Sequence, residues 1–355
     1  MGTVLEVKQQ QQQQQQQHEE DEETFDDDWG LPCDFRLFAQ HEARRVWLGL
    51  TKGGEEDGDA DADGDDQDND FRILCVESLT PLDMVNLGNG LHDATGHCVW
   101  TACFLWLAAL QTNEITLPPS STMIRVLELG SGTGLGGLAT LKHFSKIMDN
   151  DNHGSSACHV TLTDADPDAL DLCRRNAVLN GVDSRTTVQP LTWGDTDDLS
   201  VGLRGTMDIV LAADILYDIR MLPSIRQTAL ACCKTNAGIF YLSHVPRACF
   251  TSETTAGTTL QGVDGSLEDY IVQEMTESQR MVEGDDDDDH EVTFSLVRII
   301  RPIDLLSSGW QPPPKSAFVK NNNDDDENFN YINDTSLQEM QDIGAALFVF
   351  QKKKV

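Results

Sequence analysis

Basic residues are scarce in this sequence. It contains 25 Lys and Arg against 60 Asp and Glu, which gives a formal net charge of -35 at pH 7. Proteins that bind nucleic acid contact its phosphates with Lys and Arg, so we expect no nucleic-acid partner. About half of the acidic residues lie in four short runs, at residues 19–28, 55–70, 283–291 and 324–327. Such runs are typical of solvated segments, with the binding of a basic protein partner as the alternative.

Long apolar runs and paired cysteines are also missing. The longest apolar stretch, Val99 to Leu110, is too short to cross a bilayer and predicts a buried helix. The 9 cysteines form no CxxC pair and show no metal-ligand spacing, which indicates reduced thiols of an intracellular protein. The first residues carry no apolar leader. We therefore expect a cytoplasmic monomer, with the nucleus as a further compartment and no membrane partner.

A metal site is not expected either. The spacing of Asp59, Asp61 and Asp63 before Gly64 matches a calcium-binding loop, but the last ligand position holds Asp70 instead of Glu. No helices are evident on either side of this loop. We expect a solvated acidic insertion there.

Length and composition predict one main domain with tails and insertions. The chain has 355 residues and is 39% hydrophobic, enough for a core of roughly 200 to 250 residues. Residues 9–17 are all Gln, which is typical of a low-complexity tail. Three parts are predicted: a disordered tail at 1–34, an N-terminal extension at 35–123 with an acidic insertion at 53–70, and a main domain at 124–355 with acidic insertions near 283–291 and 308–337.

A glycine-rich stretch organises the main domain. Residues 126–137 run from an apolar segment into glycines and then into a helical pattern, which predicts a strand, a tight loop and a helix. Gly130, Gly132 and Gly134 permit positive φ and close approach of a ligand to the main chain. Nicotinamide enzymes use a similar turn for a pyrophosphate. Glu128 would repel a pyrophosphate, but it suits the amine, sulfonium and ribose hydroxyls of S-adenosylmethionine.

From Ile124 onward, β and α patterns alternate. This order predicts an α/β fold: a Rossmann-like, doubly wound sheet of seven strands, mostly parallel with the last strand antiparallel, preceded by a small N-terminal β/α extension. The strands are predicted at 124–129, 158–163, 186–191, 208–213, 237–243, 291–298 and 344–351. The helices are predicted at about 135–147, 167–180, 221–235 and 266–281.

Polar and aromatic side chains follow the predicted strands at the edge where their carboxyl ends meet. Asp164 ends the second strand and is placed to accept both ribose hydroxyls of a nucleotide-like ligand. Asp166 and Asp168 are the local alternatives, although Asp168 better suits the start of the next helix. Trp193 follows the third strand and is interpreted as a contact of the adenine ring, with a core position as the alternative. Trp100 is interpreted as core, with a lid over the ligand as the alternative.

The fourth strand opens into Asp214-Ile-Leu-Tyr217. Residues three apart in a tight turn point the same way, so Asp214 and Tyr217 are expected to present a carboxylate and a phenol together. The alternative is a turn-capping Asp and a packed Tyr.

With these residues identified, the chain from about 71 to 351 resembles the seven-β-strand S-adenosylmethionine-dependent methyltransferases, and more narrowly the methyltransferase-like 21 group of protein-lysine methyltransferases. The sequence from Asp214 to Tyr217 matches the Asp-x-x-Tyr signature of this group, and the residues around Trp100 and Trp193 also agree with it. Thr101 stands where the group often has proline. The resemblance implies that S-adenosylmethionine is held by Trp100, Gly130, Ser131, Gly132, Asp164, Trp193 and Ala213.

The resemblance also implies a reaction: methyl transfer to a lysine side chain of a protein such as a chaperone or an elongation factor. Asp214 would orient the incoming amine and Tyr217 would shape the pocket. Transfer to Arg, His or a small molecule is the alternative within enzymes. A catalytically silent, cofactor-binding adaptor is the alternative from another class, and a nicotinamide oxidoreductase is a third.

Overall fold

The computed structural model describes residues 41–48, 73–80, 95–115, 123–150, 157–196, 199, 202–246, 266–282, 289–312, 330–331 and 337–355. Every described residue belongs to one compact unit, Ala39–Val355. The predicted tail at 1–34, the acidic insertion at 53–70 with its calcium-like loop, and most of the insertions at 283–291 and 308–337 lie outside the described residues.

The strands of the described residues are β1 (Glu42–Trp47), β2 (Ile73–Ser78), β3 (Met123–Leu129), β4 (Ala157–Asp164), β5 (Thr186–Pro190), β6 (Ile209–Ala213), β7 (Ile239–His244), β8 (Gln279–Val282), β9 (Asp289–Ile300), β10 (Asn330–Tyr331) and β11 (Ala346–Lys354). The α-helices are α1 (Thr101–Gln111), α2 (Leu135–Asn150), α3 (Pro167–Leu179), α4 (Leu222–Cys232), α5 (Leu267–Met275), α6 (Pro302–Ser307) and α7 (Leu337–Asp342). None of these helices is long and apolar enough to span a membrane.

The main sheet confirms the predicted fold class. Its strand order is β5-β4-β3-β6-β7-β11-β9-β8. Strands β5, β4, β3, β6 and β7 pair in parallel, whereas β11 is antiparallel to both of its neighbours, β7 and β9. The last strand is therefore inserted antiparallel, as predicted, in a Rossmann-like sheet with helices on both faces.

One predicted helix is wrong at its carboxyl end. The pattern predicted a helix over 266–281, but α5 ends at Met275 and Gln279–Val282 is strand β8, which pairs antiparallel with β9. Ser266 starts α5 with a capping box to Asp269, as its local sequence favours. Strand β8 lies beside β9 at the end of the sheet and adds an eighth strand to the seven predicted.

The core is divided between the two faces of the main sheet because side chains of successive strand residues point to opposite faces. On β3, Val126 packs in the cluster that contains α1, α2 and α3, whereas Leu127 and Leu129 pack in the cluster that contains α4 and α5. On β6, Leu211 and Val210 divide in the same way. Because β6 is buried along its whole length, it is continuously apolar, as expected for a central parallel strand.

A small second sheet has the strand order β10-β1-β2 and packs beside α3. The side-chain amide of Asn180, the residue that follows α3, accepts from the N–H of Cys75 on β2 and donates to its C=O. The Asn176 amide accepts from the N–H of Glu77 and donates to the C=O of Thr133 in the glycine loop. Buried Asn176 thus joins the small sheet to the loop that organises the main domain.

Candidate active site

A cavity of about 420 Å³ opens at the edge where β3, β4 and β6 end. Its volume lies within the range of small-molecule sites. Ten of the eleven predicted site residues line it: Trp100, Glu128, Gly130, Ser131, Gly132, Asp164, Trp193, Ala213, Asp214 and Tyr217. The carboxyl ends of parallel strands bring together residues that are more than 100 positions apart in the chain.

Gly134 is the predicted residue that does not line the cavity. Its φ is +80°, and its N–H donates to the C=O of Ser131 at 2.7 Å. A Cβ there would lie 3.0 Å from Leu162 and 3.3 Å from the Cys173 sulfur. Gly134 therefore closes the turn and lets α2 approach β4, so the structure gives it a packing role where a cofactor contact was predicted.

Gly130 and Gly132 line the cavity and lie in close contact with other parts of its lining. Both have positive φ, +61° and +51°. A Cβ on Gly130 would lie 2.8 Å from the Trp193 ring, and a Cβ on Gly132 would lie 2.8 Å from the carbonyl oxygen of Gly96. Ser131 ties the loop to β4, because its Oγ accepts from the N–H of Thr163 at 2.8 Å.

The Asp164 carboxylate is held in place by backbone donors. Its Oδ2 accepts from the N–H of Gly132 and its Oδ1 from the N–H of Asp166, both at 3.0 Å. Burial raises the pKa of Asp164, while these hydrogen bonds act in the opposite direction. Because a carboxylate has about four lone-pair sites, both oxygens can also accept from the hydroxyls of a ligand.

Glu128 lines the cavity but is only 2% exposed. Its Oε2 accepts from the N–H of Gly137 at 2.8 Å, and the carboxyl group lies against the start of α2. Burial raises the pKa of Glu128 from 4.5 to about 8. From the sequence, Glu128 was interpreted as an anionic side chain, whereas burial favours its protonated form at neutral pH in the absence of a ligand.

This burial predicts a pH dependence of stability. Because the pKa of Glu128 is higher in the folded state, the folded state holds a proton that the unfolded state loses above about pH 4.5. The free energy of unfolding should therefore fall as pH rises from 5 to 8, by about 1 kcal/mol per pH unit. Glu128→Gln keeps an acceptor for Gly137 and should remove this contribution. Denaturant unfolding of both proteins without cofactor checks the prediction, and parallel curves across that range would contradict it.

The Asp214 carboxylate is placed at the start of a helix. The residue has a φ of +63°, is 7% exposed, and its Oδ2 accepts from the N–H of Ala102 in the first turn of α1 at 3.0 Å. Ser243 on β7 bonds to both of these residues: its C=O accepts from the Asp214 N–H, and its Oγ donates to the C=O of Ala102. Asp214 therefore caps the start of α1, which is distant in sequence, whereas the alternative from the sequence was the cap of a turn; Asp214 also lines the cavity.

The aromatic residues mark the boundary of the cavity. Trp100 and Trp193 are both part-buried and line it. Trp100, which was interpreted as core, belongs to neither core cluster, whereas Trp193 also packs against the cluster that contains α4 and α5. Trp100 is fixed by a 2.8 Å hydrogen bond from its Nε1 to the C=O of Thr95. Tyr217 also lines the cavity but is 54% exposed, so it stands at the mouth while Asp214 lies inside.

Several lining residues were not singled out from the sequence. Thr95, Gly96 and Cys98 come from the segment before α1, which carries no ligand motif and reaches the glycine loop only through the tertiary fold. Asp166, which the sequence offered as an alternative to Asp164, also lines the cavity. Leu191 and Ile215 contribute apolar side chains to the lining of the cavity, together with Trp193.

Comparison with known proteins shows that part of this chain is similar to lysine methyltransferases. Residues 82–252 match a family model described as lysine methyltransferase. The protein N-lysine methyltransferase METTL21A of Danio rerio is 32% identical over 133 residues, which are 37% of this chain and 52% of that protein. The protein-lysine N-methyltransferase EFM3 of Chaetomium thermophilum is 31% identical over 132 residues, 35% of this chain and 36% of that protein.

A third relative, the protein-lysine N-methyltransferase EEF2KMT of Mus musculus, is 32% identical over 137 residues, 36% of both chains. The matched region thus spans about half of these relatives or less. Residues 82–252, which match the family model, contain all the predicted site residues, from Trp100 to Tyr217. The resemblance inferred from the glycine loop and the Asp-x-x-Tyr signature is confirmed.

Proposed function

We propose that this protein is an S-adenosylmethionine-dependent methyltransferase that modifies a lysine side chain of another protein. The observation that carries the proposal is the position of Asp164. Its carboxylate accepts from the Gly132 N–H and lines the same cavity as the apolar side chains of Trp193 and Ile215. Residues 82–252, which match a lysine methyltransferase model, contain this whole arrangement.

The residues of the cavity suit this cofactor. Gly130 and Gly132 contribute main-chain atoms without side chains to the lining of the cavity, so a ligand could lie against the backbone there. Asp164 would accept hydrogen bonds from ribose hydroxyls, while Trp193, Leu191 and the Ala213 region would contact the adenine and methionine parts. When bound, S-adenosylmethionine supplies an electrophilic methyl group on a sulfonium.

The acceptor side is proposed to be the mouth near Tyr217. Transfer is an in-line displacement, so the protein contributes mainly by aligning the acceptor nitrogen. A lysine amine has a reference pKa near 10.4 and must be neutral to react, and removal of water around it favours the neutral form. Asp214 would orient the amine by a hydrogen bond, since it lines the cavity and its carboxylate acts only as an acceptor when ionised.

The proposed acceptor is a protein because the relatives of Danio rerio, Chaetomium thermophilum and Mus musculus are described as protein-lysine methyltransferases. To test it, the protein is incubated with methyl-labelled cofactor and an extract of cells that lack it, and labelled residues are located by mass spectrometry. Label on lysine of one or a few proteins is expected. Label on arginine, histidine or a small molecule would overturn the lysine assignment, and no label despite cofactor binding would favour the silent adaptor.

Asp164 provides a direct test of the cofactor. Asp164→Ala should weaken the binding of S-adenosylhomocysteine by about 1.5 to 3 kcal/mol, the scale of hydrogen bonds to a charged group. Asp168→Ala is the control, because it removes the same charge from the first turn of α3 without lining the cavity. Calorimetry measures both affinities. Equal affinities, or tighter binding of a nicotinamide nucleotide by the unmodified protein, would contradict the proposal.

A further inference from the structure

A second cavity, of about 270 Å³, lies where β7 ends in the main sheet. It is lined by His244, the last residue of β7, and by Ala346, the first residue of β11, which pair across the two strands. Ser266, which caps α5, and the first residues of this helix complete the lining on one side. Sites for small molecules are usually about 300 to 1,000 Å³, so a cavity of this size suits a single side chain.

The second cavity is close to the proposed acceptor site. Ser243, the neighbour of His244 on β7, pairs with Ala213 at the end of β6, and its C=O accepts from the N–H of Asp214 at 2.9 Å. Neighbouring strands lie about 4.8 Å apart, so the space between β7 and β11 is roughly 5 to 10 Å from the end of β6. Because an extended chain advances about 3.3 Å per residue, a residue about two to four positions from the acceptor lysine can reach it.

The lining of the second cavity is mainly apolar, with Pro246, Leu267, Ile271, Ala346 and Phe348. Ile271, Ala346 and Phe348 are buried members of the core cluster that contains α4 and α5. Pro246 and Leu267 are half-buried and Gly344, another lining residue, is exposed, so the cavity is open to solvent. An apolar side chain that entered it would be removed from water, which is favourable.

Two polar residues of the lining already have partners within the protein. The Oγ of Ser266 accepts from the N–H of Asp269 at 3.2 Å. The two carboxylate oxygens of Glu268 accept from the guanidinium of Arg301, each at 2.7 Å. Because the pair of Glu268 and Arg301 has no net charge, it gives no preference for a charged occupant. The lining therefore favours an apolar side chain.

Exposed apolar side chains lie beside the second cavity. Ile343 precedes Gly344 and is 49% exposed, and Ile303 on α6 is 47% exposed. The N–H of Ile303 donates to the Oε1 of Gln341 on α7 at 3.1 Å, which brings the start of α6 to the end of α7. Several exposed apolar residues at one edge of a protein are typical of an interaction surface, whereas single scattered ones are not.

The charged residues at these helix ends are mainly acidic. Asp269, Asp304 and Asp342 are exposed on α5, α6 and α7. The positive charge of Arg301 is paired with Glu268. Carboxylates around an apolar cavity attract a segment that carries a lysine and repel an acidic one.

We infer that the second cavity is a subsite for the protein acceptor, and that it binds an apolar side chain about two to four residues from the modified lysine. The inference rests on the proposed function. The lysine enters at the mouth near Tyr217, and the flanking segment crosses from the end of β6 to the space between β7 and β11. Burial of the apolar side chain there holds the lysine in register with the cofactor.

Gly344→Asn tests the inference by filling the second cavity. Gly344 has a φ of +79°, which asparagine tolerates. Of the described residues, an added Cβ would come within 4 Å of Pro246 alone, at 3.9 Å, so the new side chain takes space between two lining residues. Gly309→Asn is the matched control, because Gly309 has a φ of +89°, does not line the cavity, and has no described atom within 4 Å of an added Cβ.

The measurement is methyl transfer from labelled cofactor to the acceptor, at increasing concentrations of an extract of cells that lack this protein. Gly344→Asn should raise the acceptor KM about tenfold or more, the effect of one unburied apolar side chain. The rate at saturation and the affinity for S-adenosylhomocysteine should not change, because a loss of acceptor binding that is equal in the ground and transition states raises KM alone. Gly309→Asn should match the unmodified protein.

Leu267→Ala provides a second variant, which enlarges the cavity instead of filling it. Val272→Ala is its control, since both residues are half-buried on α5 and pack against the same core cluster, but only Leu267 lines the cavity. Leu267→Ala should raise the acceptor KM about fivefold or more, whereas Val272→Ala should not. Unfolding by denaturant measures the stability of both variants, which should be similar.

Substitutions in the acceptor identify the side chain that enters. Each residue within about four positions of the labelled lysine is replaced by alanine. One apolar residue should raise the acceptor KM of the unmodified protein, and the same substitution should have little further effect with Gly344→Asn, because both changes remove one contact. Full additivity of the two changes would contradict the inference.

The outcomes separate this inference from the proposed function. Labelled lysine with an unchanged acceptor KM in Gly344→Asn and Leu267→Ala would overturn the inference alone, as would equal increases in the two control variants. A larger loss of stability in Leu267→Ala than in Val272→Ala, with an unchanged KM, would mean that a segment of this chain fills the cavity instead. Absence of label on lysine with the unmodified protein would overturn both.

Discussion

Asp214→Asn is expected to lower the rate of methyl transfer by about one order of magnitude or more, while the fold and most of the cofactor affinity are retained. Asparagine tolerates positive φ, which Asp214 adopts at +63°. Its side-chain oxygen can still accept from the N–H of Ala102 at the start of α1. The substitution therefore removes mainly the negative charge that would orient the incoming amine.

The measurement compares turnover on the acceptor identified by labelling with affinity for S-adenosylhomocysteine, on the same preparations. Asp214→Ala is compared with Asp214→Asn, because the alanine variant also loses the contact that caps α1 and should lose about 1 kcal/mol of stability or more. Tyr217→Phe keeps the ring at the cavity mouth and should reduce turnover less. Full transfer by the Asn variant would remove Asp214 from the proposed mechanism and leave it as the cap of α1.

Gly132→Ala is expected to weaken cofactor binding by about 100-fold or more. Gly132 has a φ of +51°, and an added Cβ would lie 2.8 Å from the backbone oxygen of Gly96 and 3.3 Å from its Cα. Because the obstacle is backbone, either the glycine loop or the Gly96 segment must move. Both line the cavity, and the Gly132 N–H is also the donor that holds Asp164.

Gly181→Ala is the matched control for this substitution. Gly181 has a φ of +64°, and an added Cβ would meet no atom within 4 Å. Both alanines should cost about 1 to 2 kcal/mol of stability for the left-handed backbone, but only Gly132→Ala should lose cofactor affinity. Unfolding by denaturant and calorimetry on the two variants give the comparison. Equal cofactor affinities would show that the contact between Gly132 and Gly96 does not shape the site.

The sequence by itself determined the features that depend on local pattern. An apolar run that ends in glycines specifies a strand, a turn with positive φ and a helix, so β3, the loop at Gly130 to Gly132 and the start of α2 were predictable. Asp164, Trp193 and Asp214 were predictable because each follows a strand, and parallel strands end at the same edge of a sheet. The period of the apolar residues likewise indicated the seven strands of the Rossmann-like sheet.

The tertiary structure decided the features that depend on contacts between distant segments. Three features of the structure join residues that no local pattern relates. Gly96 lies against Gly132, His97 bonds both His41 and Asp166, and Asp214 caps the start of α1. The protonation of Glu128 was also decided there, because burial under α2 raises its pKa to about 8. Propensity and periodicity act over a few residues, whereas burial, charge and close backbone approach are set only when the chain has folded.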